Sequence, residues 1–204
     1  MFVKICGLTD EDSVAAALDA GADAIGFVFA PSVRQISPTE AARLAAPARG
    51  RALCVAVIRH PMSAELEEIF EIFSPDWLQT DHADTSSLSA QALEHLRRGR
   101  LLPVYRESEV LAAELPARLL FEGAVSGAGR TADWALARAA VERTQVLLAG
   151  GLNPDNVAEA IRHVRPWGVD VSSGVESAPG KKSVQRIHQF VSAAKAATHT
   201  AAAT

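Results

Sequence analysis

The sequence predicts an α/β protein folded as a closed (β/α)8 barrel (a TIM barrel), one domain with short loops. Short apolar runs recur roughly every 25 residues, each followed by a turn and an amphipathic stretch, which is the alternation of repeated βα units. Eight such units fit into 204 residues with almost no room for insertions. The last two apolar runs end in Gly150-Gly151 and in Ser172-Ser173-Gly174, just before helical stretches. There, bare backbone N–H groups can converge on one anion, and barrels of this kind build phosphate sites after their last strands. An open doubly wound sheet is the rival architecture. The count of eight and the lack of a long crossover favour closure.

Taken in order, strands are expected near Val3–Cys6, Ala24–Phe29, Ala52–Ile58, Trp77–Gln79, Leu101–Tyr105, Leu119–Glu122, Val146–Leu148 and Val169–Val171, each a short apolar run. Helices are expected near Asp12–Ala20, Pro38–Ala46, Ser63–Phe73, Ser89–Arg97, Glu107–Ala113, Asp133–Glu142, Asp155–Val164 and Val184–Ala197. Thr9-Asp-Glu-Asp12 supplies a cap and first-turn acids to the first of them. The barrel domain is placed at residues 1–197. The Ala- and Thr-rich tail, 198–204, is expected to extend the last helix and fray.

Composition narrows the function. A hydrophobic content of 49% with 22% charged residues excludes general disorder. Twenty Lys and Arg against 24 Asp and Glu give a net charge of -4, and the basic residues are scattered. A nucleic-acid or membrane partner is therefore not expected, and a small molecule is. Cys6 and Cys54 lie in separate apolar segments without disulfide or zinc spacing, which points to a reducing compartment. No apolar run is long enough for a signal peptide or a membrane span, so a cytoplasmic protein is expected.

Side chains alternate along a strand, so Lys4 and Cys6 share one face of the first strand and should point into the barrel. The same alternation turns Asp170 inward on the eighth strand, which closure makes the neighbour of the first. An ion pair between Lys4 and Asp170 is the expected result. Cys6 then lies at the carboxyl end of its strand, where barrel active sites form, with a cation below it that favours thiolate. It reads as a base or nucleophile, the alternative being a buried small hydrophobe. Cys54, within Leu53-Cys-Val-Ala-Val57, reads as packing. Asp81-His82-Ala-Asp84 carries metal-friendly residue types, but all on one loop with no distant partner, and metal binding is not expected. Gly127-Ala-Gly129 lacks the third glycine and the acidic residue of a dinucleotide fingerprint. Asp133, beside Trp134, reads as a helix cap.

Lys4-Ile-Cys-Gly-Leu8, Gly21-Ala-Asp-Ala-Ile-Gly-Phe-Val-Phe29, Arg34-Gln-Ile-Ser37, Gly150-Gly-Leu-Asn-Pro-Asp-Asn-Val157 and Val169-Asp-Val-Ser-Ser-Gly-Val-Glu176 together resemble the phosphoribosylanthranilate isomerases of tryptophan biosynthesis. The resemblance spans nearly the whole chain, closely in the first and last thirds. It implies an Amadori rearrangement of N-(5-phosphoribosyl)anthranilate through ring opening, with no metal or organic cofactor. By that resemblance Cys6 is the general base that removes the C2′ proton, and Arg34 binds the anthranilate carboxylate. Glu122, in Leu119-Leu-Phe-Glu-Gly123, stands where the family carries its general acid, an aspartate. Backbone amides near Gly150, Gly151, Ser173 and Gly174 hold the phosphate, and Lys4, Gln79, Asp170 and Ser172 complete the expected substrate-binding set.

Departures from the family cluster in the middle. Gln79-Thr-Asp-His82 replaces Gln-Leu-His-Gly, Tyr105-Arg106 replaces Lys-Ala, and Ser126-Gly-Ala-Gly129 replaces Gly-Gly-Thr-Gly. Two alternatives stay open on that ground: a related isomerase or epimerase of another phosphosugar, and a noncatalytic phosphosugar-binding protein. The chain is expected to act as a monomer or homodimer.

Overall fold

The computed structural model describes residues 1–96, 100–110, 114–123 and 132–201. Eight parallel strands close into a barrel in sequence order: β1 (Phe2–Cys6), β2 (Ala24–Val28), β3 (Leu53–Val57), β4 (Trp77–Asp81), β5 (Leu101–Arg106), β6 (Arg118–Glu122), β7 (Gln145–Leu148) and β8 (Gly168–Val171). The seam is β1 against β8, with Lys4 in register with Asp170. The expected strands fall within these bounds to one or two residues. The largest difference is β4, which runs on to Asp81 because Thr80 and Asp81 pair with Pro103 and Val104.

Helices α1 (Glu11–Asp19), α2 (Pro38–Ala45), α3 (Ser63–Glu68), α4 (Ala90–His95), α5 (Glu107–Val110), α6 (Trp134–Val141), α7 (Val157–Val164) and α8 (Val184–Ala201) follow their strands. Asp10 caps α1 by accepting from the Ser13 amide, and Asp133 caps α6 by accepting from Ala135 and Leu136, the role expected of it. The expected helix Ser63–Phe73 is not uniform: after α3 the chain widens into a π turn over Ile69–Phe73, which ends at Ser74 in the left-handed region. The wider turn lets Ile69, Phe70 and Phe73 all be buried, and Phe73 meets Phe27 edge-on at 5.4 Å. The α8 helix runs to Ala201, past the expected end near Ala197. Residues 202–204 of the expected tail, 111–113 and Arg97 at the ends of two expected helices, and the glycine-rich stretch 126–129 lie outside the described residues.

One feature has no counterpart in the sequence reading. After β8 a 3-10 turn (Ser173–Val175) leads into an antiparallel hairpin, β9 (Glu176–Ala178) with β10 (Lys181–Lys182), turned by Gly180 at φ 79°.

Most of the core lies between strands and helices, around residues such as Ile5, Ile25, Phe27, Phe121, Val169 and Phe190. A second cluster, Leu102, Val104, Leu120, Leu147 and Ala149, fills the barrel interior. Its floor is aromatic. Phe2 stacks on Trp167 at 4.4 Å and on Trp77 at 5.5 Å, and the Arg118 guanidinium lies over both indoles, 4.6 Å from the Trp167 centroid and 4.8 Å from that of Trp77. Gly168 allows that closure, because a Cβ there would sit 2.8 Å from the Phe2 carbonyl oxygen.

Candidate active site

At the opposite end, the carboxyl ends of the strands surround a cleft of about 310 Å³. Cys6, Arg34, Gln79, Glu122, Asp170 and Ser172 all line it. Six residues singled out in the sequence, from β1, the loop after β2, β4, β6 and β8, thus face one cavity. That volume is at the small end for a metabolite site.

Beneath the cleft, Lys4 Nζ donates to Asp170 Oδ1 at 2.7 Å, and the lysine side chain is fully buried. The expected seam ion pair is present: Asp170 reaches the cavity wall, while Lys4 is buried beneath it. Room for it comes from Gly26 on β2, where a Cβ would lie 3.1 Å from Cys6 Sγ and 3.3 Å from Lys4 Nζ. A buried ammonium is tolerated only when a carboxylate compensates its lost hydration. Burial pushes the Lys4 pKa down, while Asp170 and then Cys6 push it up, and the balance is a raised value.

The thiol corrects an expectation. Lys4 does favour the thiolate, as does Lys182, but burial is the larger effect and Asp170 adds to it, so the Cys6 pKa is raised. Cys6 rests as a thiol. The minority thiolate is the stronger base for having a high pKa. Cys54 is also buried, and its pKa is pushed up to about 11, mainly by desolvation, as suits a packing residue.

Arg34 reaches the cleft across Gly7. At φ 74° and with Arg34 Cδ 2.6 Å from where a Cβ would be, only glycine fits there. Arg34 Nε donates to Glu176 Oε1 at 2.6 Å and Nη2 donates to Oε2 at 2.9 Å, a planar two-bond contact. Gln79 is 8% exposed, and its amide oxygen has no partner among the described residues, which leaves an acceptor at the cavity wall.

Beside the cleft, the ends of β7 and β8 press together: a Cβ on Gly174 would lie 1.8 Å from the Leu152 carbonyl oxygen. Gly150 and Gly151 both take positive φ, 87° and 67°, and Asn156 Nδ2 holds the loop by donating to the Gly151 carbonyl at 3.0 Å. The amides of Ser173 and Gly174 open the 3-10 turn and, among the described residues, donate to no backbone acceptor. Arg186 of α8 fixes the turn from behind by donating to the Gly174 carbonyl at 3.0 and 3.1 Å. Turn-opening amides unblocked by side chains suit an anion such as phosphate.

Opposite stands a charged wall that local sequence pattern does not reveal. Asp81 is buried and paired with Arg59 Nε at 3.1 Å and Arg106 Nη2 at 2.8 Å. Asp84 accepts from the His60 amide and from its ring, both at 2.8 Å, which leaves the carboxylate pKa lowered despite desolvation. His82 stacks on Tyr105 at 4.1 Å. Asp81, His82 and Asp84, grouped in the sequence as possible ligands, are thus each turned to different partners.

A barrel that gathers a thiol, a carboxyl and an arginine with a two-bond carboxylate contact around one cleft, next to a turn of unblocked backbone amides, has the equipment of a (β/α)8 acid–base enzyme. Comparison with known proteins agrees. The family model for N-(5′-phosphoribosyl)anthranilate (PRA) isomerase matches residues 3–193. The N-(5′-phosphoribosyl)anthranilate isomerase of a Bradyrhizobium strain is 40% identical over 97% of this chain and 96% of its own. Monomers generated from the dimeric phosphoribosylanthranilate isomerase of Thermotoga maritima superpose with a TM-score of 0.81 at 32% identity, covering 96% of this chain and 99% of that one. A phosphoribosylanthranilate isomerase solved in complex with reduced 1-(o-carboxyphenylamino)-1-deoxyribulose 5-phosphate superposes with a TM-score of 0.79 at 31% identity, covering 96% and 99%. The chain belongs to the N-(5′-phosphoribosyl)anthranilate isomerase family, whose members are isomerases of tryptophan biosynthesis.

Proposed function

We propose that this protein converts N-(5′-phosphoribosyl)anthranilate into 1-(2-carboxyphenylamino)-1-deoxyribulose 5-phosphate, with Cys6 as general base and Glu122 as general acid. The supporting observation is that both groups line one cleft, which also holds Arg34 and adjoins the amide-lined turn. Glu122 gives a proton to the ring oxygen as the C1′–O bond breaks, and the anilino nitrogen lone pair forms the C1′=N bond. The Cys6 thiolate then takes the C2′ proton and the electrons flow to the nitrogen; the resulting enolamine becomes the ketone as its C2′ hydroxyl proton passes to the Glu122 carboxylate and the Cys6 thiol returns a proton to C1′. Two protons enter the substrate and two leave it, so the acid and the base end each turnover in the forms in which they began and no co-reactant is consumed.

Binding is divided between the two ends of the substrate. The amides of Gly150, Gly151, Ser173 and Gly174 take the phosphate, and Arg34 takes the aromatic carboxylate. Ser172 lies between these two groups, and the orphaned Gln79 oxygen accepts from a substrate hydroxyl or N–H. Lys4 and Asp170 act from below by setting the position and charge environment of Cys6. Held at both ends, the sugar presents C2′ to the thiol, and binding energy remote from the reacting bonds supplies orientation. Glutamate in place of aspartate extends the acid by one methylene, and the wall carrying Arg59 and Asp81 replaces the family's Gln-Leu-His-Gly side. We further propose that residues 1–197 suffice as the catalytic unit, and that the protein works in the cytoplasm as a monomer or homodimer.

Growth of a tryptophan auxotroph lacking this isomerase, when supplied with this chain, tests the activity. No growth despite soluble protein, together with measurable binding of a phosphosugar, would favour the noncatalytic or altered-substrate alternatives.

A further inference from the structure

We propose that Glu176, at the start of the hairpin after β8, is the positioning residue for Arg34, so that the carboxylate specificity of the site is built by the hairpin as much as by the arginine. This rests on the reading of Arg34 as the group that receives the anthranilate carboxylate.

Glu176 accepts four hydrogen bonds. Two come from Arg34 Nε and Nη2, one from Lys182 Nζ at 2.8 Å and one from the Gly180 amide at 3.1 Å. The side chain is 5% exposed, and although desolvation opposes it, the Arg34 and Lys182 bonds bring its pKa down to about 2, so it stays a carboxylate. Lys182 is fixed in turn, donating to the Ser172 carbonyl at 3.0 Å and the Ser172 hydroxyl at 3.3 Å. A single carboxylate therefore ties together the aromatic-carboxylate arm and the segment leading into the phosphate turn. The hairpin is itself seated on the loop after β2, since a Cβ on Gly180 would lie 2.6 Å from the Val33 carbonyl oxygen.

The direction of the contact matters. Glu176 engages the Nε–Nη2 edge of the guanidinium, which fixes its plane and leaves the Nη1 end free of this contact. Held this way, Arg34 needs little ordering when substrate arrives; without Glu176 its long stem must be ordered at each binding event, at a cost of up to about tenfold in affinity.

The test uses Glu176→Gln, Arg34→Met and the double variant, with two inhibitors: reduced 1-(o-carboxyphenylamino)-1-deoxyribulose 5-phosphate and the same compound without the ring carboxylate. Glu176→Gln should weaken the carboxylate-bearing inhibitor about tenfold and leave the other within about twofold, and the double variant should bind no worse than Arg34→Met alone. Equal weakening of both inhibitors would mean a merely structural role, and tighter binding would mean that Glu176 competes with the substrate; either overturns the proposal, as does no change. Should Arg34→Met itself fail to discriminate the two inhibitors, the reading of Arg34 falls, and the proposal with it. If Glu176→Gln does not fold, Glu176→Asp keeps the charge but withdraws it by one methylene. The same selective loss then supports the proposal, and an equal or absent loss overturns it.

Discussion

The two mouths of the barrel each carry charged side chains, and they handle them in opposite ways. At the amino-terminal mouth the Arg118 charge lies over the faces of Trp77 and Trp167, with Phe2 stacked on both indoles, and Arg118 Nε and Nη2 donate to the Gln145 amide oxygen. At the carboxyl-terminal mouth cations meet anions directly: Lys4 with Asp170, Arg34 and Lys182 with Glu176, Arg59 and Arg106 with Asp81. Aromatic packing closes an end at little desolvation cost, whereas buried ion pairs are costly to assemble and contribute weakly to net stability. Their concentration at one mouth coincides with the cleft proposed to carry the chemistry.

That contrast can be broken by substitution, and Cys6→Ala should have the largest effect. Removing the base should cut kcat by about a thousandfold or more, with affinity for the reduced product analogue and the melting temperature nearly unchanged. Substantial residual turnover would remove Cys6 from the mechanism. Lys4→Met comes next: it strands a buried carboxylate and should cost about 3–5 kcal/mol of stability, read from a urea midpoint. A variant as stable as the parent would mean that Asp170 is solvated by other means.

At the other mouth, Trp77→Ala should lower stability by about 2–3 kcal/mol, less than for a fully enclosed indole, and leave kcat/KM within about twofold. A selective loss of activity there would blur the distinction between the ends. The smallest effect is on pH dependence. With Cys6 as the proposed base, the deprotonated form is the active one, and burial raises its pKa, so kcat/KM should still be climbing as pH passes through the ordinary thiol range. A plateau already reached by about pH 8 would show that Lys4 and Lys182 outweigh burial in the free enzyme.

Much of this could be read from local pattern. The Lys4–Asp170 pair followed from period-two alternation and closure of the eight-strand count, since both are properties of consecutive residues. The tight turns after β7 and β8, proposed to hold phosphate, were legible as glycine and serine at strand ends. The β4 end was not: Asp81-His82-Ala-Asp84 reads as one polar cluster, yet β5 extends β4 to Asp81 and its arginines come from the loop after β3 and the end of β5. Nor was the π turn at Ile69–Phe73, because helical periodicity is nearly the same with one residue added to a turn.

By itself the sequence determined the closed barrel, the end at which the site forms and the residues that face it, because strand alternation and turn chemistry are encoded a few residues at a time. Only the tertiary structure decided that Cys6 rests protonated, that Arg34 is held by a glutamate 142 positions away, and that Asp81 is shared by two guanidiniums. Hydration and charge depend on what surrounds a group in space, and the chain brings those neighbours from distant segments.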